Sequence, residues 1–286
     1  MKYTEVTFCL VPCNEIATDI VAALAGEIGF DSFVPTVDGV QGYVPTEQYD
    51  EEALQAILKE FPLPDTSITF TAHPMEDKDW NEEWERNFFQ PIVVANRAVV
   101  HSTFHTNYPQ ADYDIVINPQ MAFGTGHHQT TRLVMSYLLD ADLGNKDVLD
   151  MGCGTGILAI LACMRGACHA DAIDIDSWCA ENTRDNIALQ RANLPIDVFC
   201  GDASLLTDKG PYDVVIANIN RNILLADMPQ YASRLCTQGR LFISGFYLAD
   251  LPLLRDKAAS LGLQYISHRT DADWTAAEFQ KVTEDE

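Results

Sequence analysis

The chain has no apolar run long enough to cross a bilayer, and no basic stretch followed by a short apolar one of the kind that directs export. No membrane partner is expected, and the setting read from the sequence is cytoplasmic. It has no C-x-x-C pair. Its eight cysteines are scattered, several of them within helical or strand patterns, which excludes a disulfide framework and fits a reducing compartment. Basic residues are scarce: 18 Lys and Arg stand against 42 Asp and Glu, a formal net charge of −24. Such a surface repels a phosphate backbone, so no direct nucleic-acid partner is expected. A basic protein or peptide would be attracted and steered instead. No strong self-association signal is present, and a monomer is expected. His127 and His128 are adjacent but lack further ligands at helical spacing, so no metal is expected there.

What is present centres on Asp147-Val148-Leu149-Asp150-Met151-Gly152-Cys153-Gly154-Thr155-Gly156-Ile157-Leu158-Ala159-Ile160. An apolar run ends in an acid, three glycines follow at every second position, and an apolar helical pattern begins. This reads as a strand, a tight turn and a helix N-terminus. Glycines permit positive φ and a close approach of a ligand to the main chain. The helix start adds free N–H groups and a partial positive charge. A nucleotide-like ligand would lie in the crevice at the carboxyl ends of the strands. Asp174 ends the next apolar run about 20 residues on, where an acid suits a ribose diol. Cys153 lies beside a helix start, where a thiol pKa could fall, but it is read as a small turn residue rather than a nucleophile.

Along the chain, Tyr3–Val11, 30–34, 39–44 and 66–72 read as strands. Helices are expected from Asn14, as a cap, to about Gly26 and over 50–61, with Leu54, Ile57 and Leu58 inward. The order β-α-β-β-α-β is the ferredoxin-like plan, and without a catalytic constellation it suggests a recognition module over 1–74. A charged amphipathic segment carrying Trp80, Trp84 and Phe88 every four residues reads as a linker helix within 75–95. Residues 96–286 then begin with short strands at 98–101 and 114–117. The loop Ala122-Phe123-Gly124-Thr125-Gly126-His127-His128-Gln129-Thr130-Thr131 opens into a helix placed to cover the site, with Gly124 and Gly126 as hinges and Thr130 or Thr131 as cap or cofactor ligand. After the glycine turn, strands at 196–199, 214–217 and 241–244 alternate with helices. A final antiparallel pair at 265–269 and 278–282 is expected at one edge. This is the pattern of a doubly wound α/β sheet. Asp202 stands at the tip of the third strand, where an acid accepts from an adenine amino group. Asn218 stands at the tip of the fourth.

The spacing G-x-G-x-G, with Asp150 two residues ahead, resembles the first motif of S-adenosylmethionine-dependent methyltransferases rather than the G-x-G-x-x-G of dinucleotide enzymes. Together with the 122–131 loop, Asp174-Ile175-Asp176, Ala217-Asn218-Ile219 and the Trp80–Trp84 segment, the chain resembles over nearly its whole length the bacterial methyltransferases of large-subunit ribosomal protein L11, the PrmA family. The resemblance implies a seven-stranded class I methyltransferase domain behind a small recognition domain and a linker helix. It implies S-adenosylmethionine as cofactor, contacted by Thr131, Gly152, Asp174 and Asn218, and ribosomal protein L11 as the basic partner, methylated on lysine side chains and on the N-terminal amine. Asp150, Gly154, Gly156, Asp202, Phe123 and Thr130 complete the expected cofactor set. Asn218 is the expected catalytic residue, its amide oxygen accepting the hydrogens of the attacking amine. Asn220-Arg221-Asn222 departs from the small, apolar sequence associated with many members. The rival readings are a methyltransferase of another protein, RNA or a small amine, a non-catalytic protein that keeps the cofactor pocket, and a dinucleotide oxidoreductase.

Overall fold

A computed structural model describes residues 3–59, 61–63, 66–74, 90–120 and 122–282. The chain divides into two compact units, Met1–Trp80 and Asn81–Glu286. The expected linker helix with its Trp80, Trp84 and Phe88 stripe falls on 75–89, outside the described residues. Among the described residues no helix is long and apolar enough to cross a membrane.

The first unit runs β1 (Tyr3–Val11), α1 (Glu15–Gly26), β2 (Ser32–Thr36), β3 (Gly39–Pro45), α2 (Glu51–Lys59) and β4 (Ser67–Pro74). The sheet order is β2-β3-β1-β4, and every neighbouring pair is antiparallel. Alternation along β1 sends Val6, Phe8 and Leu10 to one face, where they meet Val21 and Ala25 of α1 and Leu54 of α2. On the opposite face Gln41 Nε2 and Tyr43 Oη both donate to the Glu5 carboxylate at 3.3 Å. Asn14 caps α1 as its sequence predicts, accepting from Ala17 N–H at 2.9 Å. Two boundaries move. Phe30 is a core residue ahead of β2 rather than part of it. Asp50 caps α2 instead of starting it, its Oδ1 accepting from the N–H groups of Glu52 and Ala53.

The second unit opens with a three-stranded sheet of β5 (Ile92–Val94), β6 (Ala98–His101) and β7 (Tyr113–Val116), and then α3 (Gln129–Asp140). The large sheet follows. Its elements are β8 (Asp147–Met151), α4 (Ile157–Met164), β9 (His169–Asp174), α5 (Ser177–Ala188), β10 (Ile196–Cys200), β11 (Tyr212–Asn218), α6 (Arg221–Arg234), β12 (Leu235–Tyr247), α7 (Leu251–Ala259), β13 (Leu263–Asp271) and β14 (Trp274–Lys281). Its order is β10-β9-β8-β11-β12-β14-β13, and the α/β class read from the sequence holds. From β8 the chain winds outward through β9 and β10, then returns to the other side of β8 with β11. The gap between the tips of β8 and β11 is therefore the switch point at which α/β sheets bind ligands.

Both faces of this sheet are covered, so its central strands are apolar on both sides. Val148, Ala170, Ala172 and Ile216 face α3 and α4, while Leu149, Ile173, Val215 and Ala217 face α6 and α7. Every residue from Ile157 to Cys163 is buried, as expected of a helix apolar all round. The last two strands form the antiparallel pair expected at one edge of the sheet, with β14 starting at Trp274 rather than Glu278. β14 pairs antiparallel with both β12 and β13, so it is an interior strand and only β13 forms the edge. Burial explains this: β14 is buried through Thr275–Phe279, whereas β13 alternates between covered and exposed positions.

Candidate active site

Gly152, Gly154 and Gly156 all have left-handed backbones, with φ of +73°, +55° and +79°. All three also depend on the absence of a Cβ. At Gly152 it would lie 2.3 Å from Ile219 Cγ2, and at Gly154 2.1 Å from the Phe123 carbonyl oxygen. The turn is pinned from two sides. Gly152 N–H donates to Ile173 O at 2.8 Å, and Gly154 N–H donates to Asp174 Oδ2 at 2.9 Å. Thr155 N–H donates to Phe123 O at 2.9 Å, and Thr155 Oγ1 donates to Gly124 O at 2.6 Å. The 122–128 loop is thus stitched directly to the glycine turn. The helix that follows the loop is capped by His128, not by Thr130 or Thr131: its Nδ1 accepts from Thr130 N–H at 3.3 Å. Burial lowers the pKa of His128, and the Arg132 charge lowers it further.

The strand tips supply carboxylates and one amide. Asp174 Oδ1 accepts from Asp176 N–H at 3.0 Å, so main-chain donors hold both of its oxygens. Asp202 Oδ1 accepts from Ser204 N–H at 2.9 Å, and hydrogen bonds from Ser204 hold its pKa below the ordinary carboxylate value. Asn218 ends β11. Its Nδ2 donates to Thr131 Oγ1 at 3.4 Å, while its Oδ1 is buried and has no partner among the described residues.

These groups border one cleft of about 480 Å³, within the range of small-molecule sites. It crosses the tips of β10, β9, β8, β11 and β12, from Asp202 through Asp174, Gly152 and Asn218 to Gly245. Rings gather at the far end. Phe123 lies 5.1 Å from His128 and His128 4.8 Å from Trp274, and Tyr247 packs on Trp274 at 4.6 Å.

A family model described as ribosomal protein L11 methyltransferase (PrmA) matches residues 30–282. The chain belongs to the ribosomal protein L11 methyltransferase family. It is 57% identical over 279 residues to the "Ribosomal protein L11 methyltransferase" of Phocaeicola vulgatus, covering 98% of this chain and 99% of that one. The protein of the same name from Bacteroides thetaiotaomicron is 55% identical over the same shares of both chains. A solved structure described as a ribosomal protein L11 methylase, from Lactobacillus delbrueckii subsp. bulgaricus, superposes with a TM-score of 0.61 at 27% identity. That match covers 68% of this chain and 99% of the other.

In this member of the L11 methyltransferase family, seven of the residues singled out by sequence line the cleft: Phe123, Thr130, Gly152, Gly154, Asp174, Asp202 and Asn218. Three stand behind it. Thr131 is fully buried and touches the cleft only through Asn218. Gly156 packs against Thr183. Asp150 is fully buried, its Oδ2 accepting from Ala159 N–H at 3.1 Å and its Oδ1 without a partner among the described residues. Burial pushes its carboxyl up to about 7, and the Asp174 charge adds to the rise.

Cys153 is a buried turn residue, as read from the sequence, and not a nucleophile. Burial, followed by the Asp150 charge, raises its thiol well above the ordinary value despite the nearby helix start. Sequence reasoning missed Cys179, Asp227 and Trp274, which also line the cleft. Cys179 and Asp227 sit inside helices that show no local motif. Trp274 arrives from the antiparallel strand, far from the glycine turn along the chain.

Proposed function

We propose that this protein transfers methyl groups from S-adenosylmethionine to amines of ribosomal protein L11, namely lysine ε-amino groups and the N-terminal α-amino group. The observation that carries the reading is the buried Oδ1 of Asn218, without a partner among the described residues, at the tip of β11 beside the glycine turn. A buried carbonyl without a donor costs roughly 1–3 kcal/mol, and a substrate N–H would remove that cost.

The cleft suits S-adenosylmethionine. Gly152 and Gly154 present bare backbone to the cleft, and each Asp174 oxygen keeps a lone pair beyond its main-chain donor. Gly152 and Gly154 would hold it together with Phe123 and Thr130. Asp174 would take the ribose hydroxyls and Asp202 the adenine amino group, with Asp150 and Gly156 supporting the turn and Thr131 orienting Asn218. When bound, the cofactor supplies a methyl group on a positively charged sulfur, open to attack by a neutral amine.

The chain's own task is to deliver that amine neutral and aimed. A free lysine has a pKa of about 10.4 and is almost wholly protonated at neutral pH. The apolar walls supplied by Ile219, Ile223 and Trp274 disfavour the charged form. Asn218 Oδ1 then accepts an amine hydrogen and points the lone pair. Positioning supplies most of the rate.

The order and pairing of the first unit support a ferredoxin-like recognition domain over 1–74, the seven-strand order of the large sheet supports a class I methyltransferase domain over 96–286, and the spacing of Trp80, Trp84 and Phe88 in the sequence supports a linker over 75–95. The net charge of −24 supports a basic protein partner rather than nucleic acid. A cytoplasmic, monomeric enzyme without a metal in its cleft completes the reading. The test is mass spectrometry of purified ribosomal protein L11 after incubation with the full chain and isotopically labelled S-adenosylmethionine. Label is expected on lysines or on the N-terminal amine. Cofactor binding by calorimetry without any label in that protein would overturn the reading.

A further inference from the structure

At the other end of β9, about 16 Å from Asp174 at strand spacing, one face of the sheet gathers an imidazole and three carboxylates. His169 and Asp171 are two residues apart on β9 and so point the same way. Asp147 on β8 lies in register with His169, and Asp197 on β10 lies in register with Asp171. Two carboxylates directly opposed across neighbouring strands destabilise a sheet unless something positive lies between them. Lys209 does not fill that place. Its Nζ lies 3.2 Å from Asp171 Oδ2, the oxygen that also accepts from Tyr212 Oη at 2.5 Å. Asp171 is 5% exposed, and its Oδ1 makes no hydrogen bond among the described residues; it faces His169 Nε2 at 3.7 Å. Asp197 Oδ2 lies 3.2 Å from the same nitrogen, and the three ligand atoms are all within 4.8 Å of one another.

We propose that His169 Nε2, Asp171 Oδ1 and Asp197 Oδ2 bind a divalent transition-metal ion, with Zn²⁺ the best fit, at the amino-terminal ends of β9 and β10. A tetrahedral ion with bonds near 2.0–2.1 Å has ligand–ligand edges of about 3.3 Å. Two of the three edges here are already close to that, and the exposed Asp197 closes the third by rotation about its side chain. Asp147 Oδ1, which accepts from Cys168 Sγ at 3.6 Å, lies 3.9 Å from His169 Nδ1, too far for a hydrogen bond but on the side where a carboxylate partners a metal-bound imidazole. Tyr212 and Lys209 hold the far oxygen of Asp171, which fixes the near one. Water takes the remaining position. The ion ties β9 to β10 and neutralises their opposed acids. The site is independent of the cleft and of the methyl-transfer reading.

The experiment titrates the full chain, freed of metal by a chelator, with Zn²⁺ by calorimetry and with Co²⁺ by visible absorption. One equivalent is expected to bind, with a nitrogen-and-oxygen Co²⁺ spectrum, and Zn²⁺ is expected to raise the melting temperature. His169→Gln and Asp197→Asn, at half-exposed and exposed positions, should fold and should each weaken binding about tenfold or more. Absence of binding, equal affinity in parent and both variants, or a thiolate band that disappears with Cys168→Ser would each overturn the assignment.

Discussion

Asn218 and Thr131 share one hydrogen bond, 3.4 Å from Nδ2 to Oγ1, that fixes the amide with its nitrogen inward and leaves its oxygen unspent. Thr131 is fully buried in the first turn of α3 and Asn218 is the last residue of β11, so helix and strand together set the direction of one acceptor. The bond is long, hence weak, and its loss alone would cost the fold little.

Asn218→Ala should therefore lower kcat for methyl transfer by about 10²-fold, the scale of a misaimed reactant. The melting temperature should change by only a few degrees. Thr131→Val removes the anchor but keeps the amide, and a smaller loss, about tenfold, is expected. Single-turnover rates with ribosomal protein L11 would check both. Rates equal to the parent in Asn218→Ala would remove Asn218 from the chemistry.

The glycine turn offers a graded comparison. A methyl group at Gly154 meets a main-chain carbonyl at 2.1 Å, whereas at Gly152 it meets a side-chain methyl at 2.3 Å. Both residues have φ in the region that costs an L-residue about 1–2 kcal/mol. Ile219 can rotate away, but the Phe123 carbonyl is already bonded to Thr155 N–H. Gly154→Ala should lose more melting temperature and more affinity for S-adenosylhomocysteine than Gly152→Ala. Thermal denaturation and calorimetry on the pair would show the order, and a reversed order would mean that the loop is not fixed as described.

The sheet and its cleft were legible because their signals are local. An acid, three alternating glycines and an apolar run fix a strand, a turn and a helix within 14 residues, and Asp174 and Asn218 stand at the ends of plainly apolar strands. The role of His128 was not legible. From sequence it is one of two adjacent histidines, and only the fold of the loop makes it the cap of α3. Asp150 and Thr131 were placed on the cleft because the motif contains them, whereas both lie one layer behind it. Trp274 reaches the cleft through a strand pairing far from the glycine turn in sequence, which no local pattern encodes.

Burial sorts the thiols. Cys153 and Cys163 are buried, and burial raises both pKa values, that of Cys163 to about 12. Cys9, Cys13, Cys168 and Cys200 are exposed. A brief exposure of the folded chain to iodoacetamide at neutral pH should modify the exposed group and spare Cys153 and Cys163. Peptide mass spectrometry reads the pattern directly. Early modification of Cys153 would show the glycine turn opening in solution.

Asp150 makes the sharpest pH prediction. Its carboxyl titrates near 3.9 in the unfolded chain and is pushed up to about 7 by burial in the folded one. Below about pH 4 both states hold the proton, and the group costs nothing. Between about 4 and 7 the unfolded chain releases it while the folded chain keeps it, so the stability this residue allows falls as pH rises. Above about 7 both states are ionised and the loss levels off, at a few kcal/mol at most. Asp150→Asn keeps the shape and an acceptor for Ala159 N–H but cannot ionise. Denaturant unfolding of parent and variant from pH 5 to 8.5 should give curves that diverge through pH 7 and then run parallel, with the parent losing ground to the variant as pH rises. A constant difference across that range would mean that Asp150 titrates as an ordinary acid in the folded protein.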